Sequence, residues 1–117
     1  MAKEYLETLS ELMERVTPRG LEGIELEVKH FFSGAAVYAD GRICITLTPV
    51  GFAIKLPEES RIVLMEQRGA HPPRYFPKGP IKKEYVVLPQ TIVDDMKMLR
   101  HWVKASIAYV VASRARV

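Results

Sequence analysis

Phe31-Phe32-Ser33-Gly34-Ala35-Ala36-Val37-Tyr38-Ala39-Asp40-Gly41-Arg42-Ile43-Cys44-Ile45-Thr46-Leu47-Thr48 carries the strongest local signals in the chain. Asp40-Gly41 sits between Val37-Tyr38-Ala39 and Arg42-Ile43-Cys44. Both turn residues accept positive φ, so the pair predicts a hairpin with a two-residue loop. Ser33-Gly34-Ala35-Ala36 has missing or minimal side chains, which predicts a bulge or a close approach by another backbone. In the returning strand, alternation places Ile43, Ile45 and Leu47 toward a core and Cys44, Thr46 and Thr48 on the opposite side.

Working outward, Pro49-Val50-Gly51 supplies the next reversal, and Phe52, Ile54 and Leu56 then alternate with Ala53 and Lys55. Upstream, Ile24, Leu26, Val28 and His30 alternate with Glu25, Glu27 and Lys29, the pattern of a half-exposed strand. These runs predict a meander of three or four antiparallel strands. A helix precedes it: Tyr5, Leu9, Leu12 and Val16 recur at helical spacing, with Leu6 and Met13 beside them. Glu4, Glu7, Glu11 and Glu14 fill the remaining face, and Thr17-Pro18-Arg19-Gly20 stops the helix.

Beyond the meander, Pro57, Glu58 and Glu59 suit the start of a short helix through Ile62 to Gln67, and Arg68-Gly69 suits its end. Residues 70 to 80 hold four of the eight prolines and read as a loop, with at most a short strand at Tyr75-Phe76. Strand character resumes from Ile81 to Leu88. Pro89, then Thr91 with Asp94 three residues on, predicts the start of one long final helix. Its buried stripe is Ile92, Met96, Leu99, Val103, Ile107 and Val110. Trp102, Tyr109 and Val111 widen that stripe, the pattern of a helix packed against two surfaces, and a second subunit is one candidate for the other surface. The expected fold is a two-layer α+β domain spanning residues 1–117, in which the antiparallel meander is flanked by an N-terminal helix, a short middle helix and a long C-terminal helix.

Composition agrees with one core. The chain has 117 residues, 48% hydrophobic and 26% charged, enough for a single domain. It holds no run of the ~20 apolar residues that a membrane span requires, and its first residues lack an apolar signal core, so a cytoplasmic location away from membranes is expected. One cysteine, Cys44, excludes an internal disulfide. The net charge of +3 is uneven. Residues 1–30 hold 4 Lys and Arg against 7 Asp and Glu, whereas residues 68–117 hold 10 against 3.

The sequence offers little catalytic chemistry. His30, His71 and His101 have no metal-binding neighbour at i+2, i+3 or i+4, so neither metal nor other cofactor is expected. Ser33 lacks the glycine pattern of a nucleophile elbow, and Cys44 falls mid-strand, where burial opposes the thiolate. Asp94-Asp95 is explained by helix capping, and Gly34 and Gly41 match no phosphate loop. No catalytic residue is therefore assigned and a non-enzymatic protein is expected. A pocket near Tyr38, His30 and Ser33 is the weakest of the functional readings.

One constellation has a functional flavour. Arg68, Arg74, Lys78, Lys82 and Lys83 interleave with Tyr75, Phe76 and Tyr85, a mixture that neutralises phosphates and stacks on bases. The ordinary alternative has the aromatics closing the core under a solvated basic loop. Lys97, Arg100, Lys104, Arg114 and Arg116 either extend such a patch or keep the final helix soluble.

The meander also resembles the opening signature of the TfoX N-terminal domain family. Phe32, Gly34, Tyr38 and Gly41 carry the likeness, as an aromatic, a small-residue pair, a tyrosine and a glycine turn. Gly51-Phe52-Ala53-Ile54-Lys55 is similar to that family's next strand, and Tyr85-Val86-Val87-Leu88-Pro89 to its last. Asp94, Leu99, Trp102-Val103 and Ala105 are similar to its final helix. Ser33-Gly34 stands where two glycines are common, and Ala36 where another glycine is frequent. The resemblance implies a two-layer α+β fold, no catalytic residues, and a link to regulation of competence genes in the two-domain members, which continue into a helical C-terminal domain. A standalone regulatory module working through protein contacts, and forming a homodimer, is the resulting expectation. Direct nucleic-acid binding through residues 68–85 is the alternative.

Overall fold

The computed structural model describes residues 2–16, 23–73 and 84–115, with side chains for 4–16, 23–73 and 84–112. The elements run α1 (Ala2–Val16), β1 (Leu26–Phe31), β2 (Gly34–Ala39), β3 (Arg42–Thr48), β4 (Gly51–Lys55), α2 (Glu58–Arg68), β5 (Tyr85–Val87), α3 (Gln90–Val93) and α4 (Met96–Ala115). The strands form one open antiparallel sheet in the order β1-β2-β3-β4-β5. The α+β expectation therefore holds, with β5 added to the meander's far edge after α2.

Local chemistry explains the sheet. Asp40 and Gly41 adopt φ of 49° and 81°, both positive, and close the β2–β3 hairpin as Asp-Gly predicts. The Asp40 carboxylate also accepts the Glu25 N–H at 2.8 Å, tying the entry of β1 to this turn. Gly34 is the site of close approach: a Cβ there would run into the Leu47 carbonyl oxygen and lie 2.9 Å from the Thr48 Cα. Pro49 and Val50 make the β3–β4 turn, with the Val50 N–H donating to the Thr48 hydroxyl at 3.1 Å.

α1 and α4 pack on the sheet and on each other. Leu9, Met13 and Val16 of α1, Val37, Ile45 and Ile54 of the sheet, and Leu99, Val103, Ile107 and Val110 of α4 belong to one continuous core. Each fully buried aliphatic side chain contributes about 1.5–3 kcal/mol. Leu64 joins α2 to the same core. Gly69 ends α2 in the left-handed conformation at φ 76°, as Arg68-Gly69 suggests.

Three expectations are corrected. β3 has an irregularity opposite Val37 and Tyr38: Val37 pairs with Ile45 but Tyr38 with Ile43, leaving Cys44 as the extra residue of a bulge. Ile43 is thereby turned to the Tyr38 side of the sheet and is only half-buried, so it does not face the core with Ile45 and Leu47. The middle helix, by contrast, has Glu58 and Glu59 in its first turn and ends at Arg68, as the sequence suggests. The final helix is interrupted. Asp95 accepts the Met98 N–H on its carboxylate at 3.2 Å and starts α4 afresh, while Asp94 closes α3 and accepts from the Gln90 side chain at 2.9 Å. Met96, assigned to the buried stripe, is instead 38% exposed at the start of α4.

Thr46 and Thr48 do lie on the face away from Ile45, yet they are 1% and 4% exposed, and Ala36, Ala53 and Val87 beside them are also buried. Both faces of the central strands are therefore covered. The proposed helix stop at residues 17–20 and the short strand at Tyr75-Phe76 fall outside the described residues, as do residues 81–83 of the longer last strand. Among the described residues no helix is long and apolar enough to cross a membrane.

Candidate functional site: a cation and aromatic band across the sheet

The bulge at Cys44 determines which side chains share a surface. Cross-strand partners point to the same face, so Tyr38, Ile43, Lys55 and Tyr85 form a band across the face opposite Ile45. Two lysines are held against its tyrosines. Lys29 Nζ lies 5.3 Å from the centre of the Tyr38 ring, and Lys55 Nζ 6.0 Å from that of Tyr85. Each lysine also has a carboxylate: Glu27 at 3.7 Å from Lys29, and Glu84 at 3.3 Å from Lys55. Exposed ion pairs of this kind contribute about 0–1 kcal/mol, so they orient the lysines more than they stabilise the fold.

Next to the band, β3 and β4 diverge beyond the Ile45–Ile54 pair and open a cleft of about 370 Å³. Arg42, Ile43, Lys55, Glu84 and Val110 line it. Ile43 and Val110 supply apolar surface, while two cations face one carboxylate at the rim. The chemistry suits an anionic or acidic partner group laid over a small apolar patch. The Ser106 hydroxyl of α4 donates to the Cys44 carbonyl, at the bulge, at 3.1 Å.

The residues considered for catalysis are dispersed. His30 pairs with Ala35 and Tyr38 with Glu27, positions on opposite faces of the sheet, and Ser33 is exposed in the β1–β2 turn, so the three do not converge. Burial pushes the Cys44 thiol from its ordinary value of 9.0 up to about 12, and its Sγ–H donates to the Val37 carbonyl at 3.4 Å. His71 Nδ1 lies 3.3 Å from the Pro72 carbonyl, and His101 meets Trp102 edge to face at 4.8 Å. Among the described residues no group of three or more His, Cys, Asp or Glu is arranged to hold a metal ion.

Of the basic and aromatic segment, Arg68 is exposed in the last turn of α2 and Tyr85 is half-buried in β5. Arg74, Tyr75, Phe76, Lys78, Lys82 and Lys83 lie outside the described residues. Lys97, Arg100 and Lys104 are exposed on α4, where Arg100 donates to the Arg15 carbonyl at 3.1 Å and ties α4 to α1. The band was not visible to sequence reading. Lys29 and Lys55 look like ordinary outward residues of alternating strands, and their meeting with Tyr38 and Tyr85 depends on register and on the bulge.

The positions shared with a known family have structural reasons. Gly34 permits the approach of β3, Gly41 closes the hairpin, Pro89 precedes α3 and Trp102 is half-buried on α4. Phe32 differs, being 90% exposed with φ of 48° and its ring 4.6 Å from that of Phe31. The family model described as the TfoX N-terminal domain matches residues 21–110, from before β1 to near the end of α4. Neither a curated protein nor a solved structure gives a significant match. With its strands, its hairpin turn and most of its last helix inside that match, the chain belongs to the TfoX N-terminal domain family.

Proposed function

We propose that this protein is a non-enzymatic regulatory module that acts through protein contacts and associates with itself. Family membership over residues 21–110 carries this reading, since the family is named for a regulator of competence. The band and the cleft beside it support it: Tyr38 and Tyr85 of the band and Arg42 of the cleft are residue types that protein interfaces favour. Two measurements test it. Light scattering at high micromolar concentration is expected to give a dimer, and a monomer removes the self-association. Transcript profiling is expected to show a gene set that responds to loss of the chain and is not restored by Arg42→Glu/Lys55→Glu. An unchanged transcript profile on loss of the chain overturns the regulatory reading.

A second reading is direct nucleic-acid binding, favoured by lysines beside tyrosine rings and by the exposed Arg42. Phosphate-dominated binding weakens steeply with salt. Retention of DNA or RNA at low ionic strength that disappears on adding salt supports this reading, and no retention at low salt removes it.

A further inference from the structure

β1 is an outermost strand of the sheet among the described residues, so one of its long sides faces no described strand. Its backbone pattern identifies the outward groups. The Glu25 carbonyl accepts the Asp40 N–H at 2.8 Å, and Phe31 stands opposite Gly34 across the β1–β2 turn. Hydrogen-bonded and non-bonded pairs alternate in antiparallel ladders. Glu25, Glu27, Lys29 and Phe31 therefore turn their N–H and C=O groups to β2, while Leu26, Val28 and His30 turn theirs to the open edge.

A second β1, rotated about a two-fold axis through Val28, meets this edge in register. Val28 then exchanges two hydrogen bonds with its own copy, and Leu26 bonds with His30 of the copy. Glu27 stands opposite Lys29 of the copy, and Lys29 opposite its Glu27. These are non-bonded positions, where opposed Cα atoms lie only about 4.5 Å apart and side chains interact most closely. The two neighbouring two-fold registers put Glu27 against Glu27 or Lys29 against Lys29. Charge therefore selects the Val28-centred register over its neighbours. α1 packs across β1 and β2, which sets the two copies of this helix roughly 10 Å apart, the usual separation of packed helices.

We infer that β1 pairs antiparallel with β1 of a second copy of this chain about a two-fold axis through Val28, merging two five-stranded sheets into one. This rests on the reading that the protein self-associates, and it names the surface. Sedimentation equilibrium on the full chain tests it with three variants. Lys29→Glu sets carboxylates against each other at two symmetric points and is expected to weaken the dimer about tenfold or more. Adding Glu27→Lys reverses both charges together and restores the wild-type constant to within about threefold. Val28→Pro removes an outward N–H that β2 does not use, so the dimer is lost while the monomer's thermal transition persists. A monomeric wild type defeats self-association altogether. A wild-type dimer untouched by all three variants overturns the β1 seam alone, leaving Glu27 and Lys29 as charges that merely blunt an edge.

Discussion

The Ser106 hydroxyl, on α4, donates to the Cys44 carbonyl at 3.1 Å across 62 residues of sequence, and Ser106 is completely buried. Removing that donor leaves a buried carbonyl unsatisfied next to the bulge. Ser106→Ala is expected to destabilise the fold by about 1–3 kcal/mol. Urea denaturation checks this, and a loss near zero would mean that the carbonyl finds another donor.

Two glycines of the meander separate steric from conformational cost. Gly34→Ala drives a methyl group into the Leu47 carbonyl and the Thr48 Cα, both backbone, so β2 and β3 must separate; a loss of about 3 kcal/mol is expected. At Gly41 the added Cβ meets nothing within 4 Å and only the φ of 81° resists, so Gly41→Ala should cost about 1 kcal/mol. The order of the two, measured by denaturation, is the decisive quantity.

Adjacent aspartates at the α3–α4 junction should respond unequally. Asp95 caps α4 through the Met98 N–H, whereas Asp94 bonds only an exposed glutamine side chain. Asp95→Ala is expected to lower stability by about 1 kcal/mol and Asp94→Ala by less than half as much. Equal losses in thermal melts would count against the capping assignment.

Cys44 predicts an alkaline pH dependence. Its folded-state value is raised by burial to about 12 from 9.0, so the native state keeps a proton that the unfolded chain releases between these values. Stability from this group is complete below pH 9 and falls by about 1.4 kcal/mol per pH unit from there toward 12. The comparison is with Cys44→Ala, whose stability should decline less steeply above pH 9. Parallel curves for the two proteins would exclude the thiol as the source.

Much of the meander was legible because its signals are local. Asp40-Gly41 needs only its own backbone preferences to close a turn, and the small residues around Gly34 announce a close approach without naming what approaches. The bulge was hidden by the regularity of Ile43-Ile45-Leu47, which spells an unbroken strand. Its extra residue, Cys44, is bonded from afar by Ser106, a contact that no local pattern announces. The split of the last helix was concealed in a similar way, since Thr91 and Asp94 imitate a capping box while Asp95 performs the capping. The site was less legible than the fold. Lys29 and Lys55 acquire their tyrosine neighbours only through register, and no spacing along the chain encodes that.

Strand order equal to chain order has a kinetic consequence. Every neighbour in the sheet up to β4 is reached through a two-residue turn, so pairing can advance hairpin by hairpin, each closure costing little loop entropy. Microsecond hairpin formation is then expected to precede the slower arrival of α4, whose contacts with β3 and α1 close far longer loops, 62 residues at Ser106–Cys44 and 85 at Arg100–Arg15. On this topology the last helix finding a sheet already assembled is the step expected to set folding speed, with residues such as Ser106 acting late on the route.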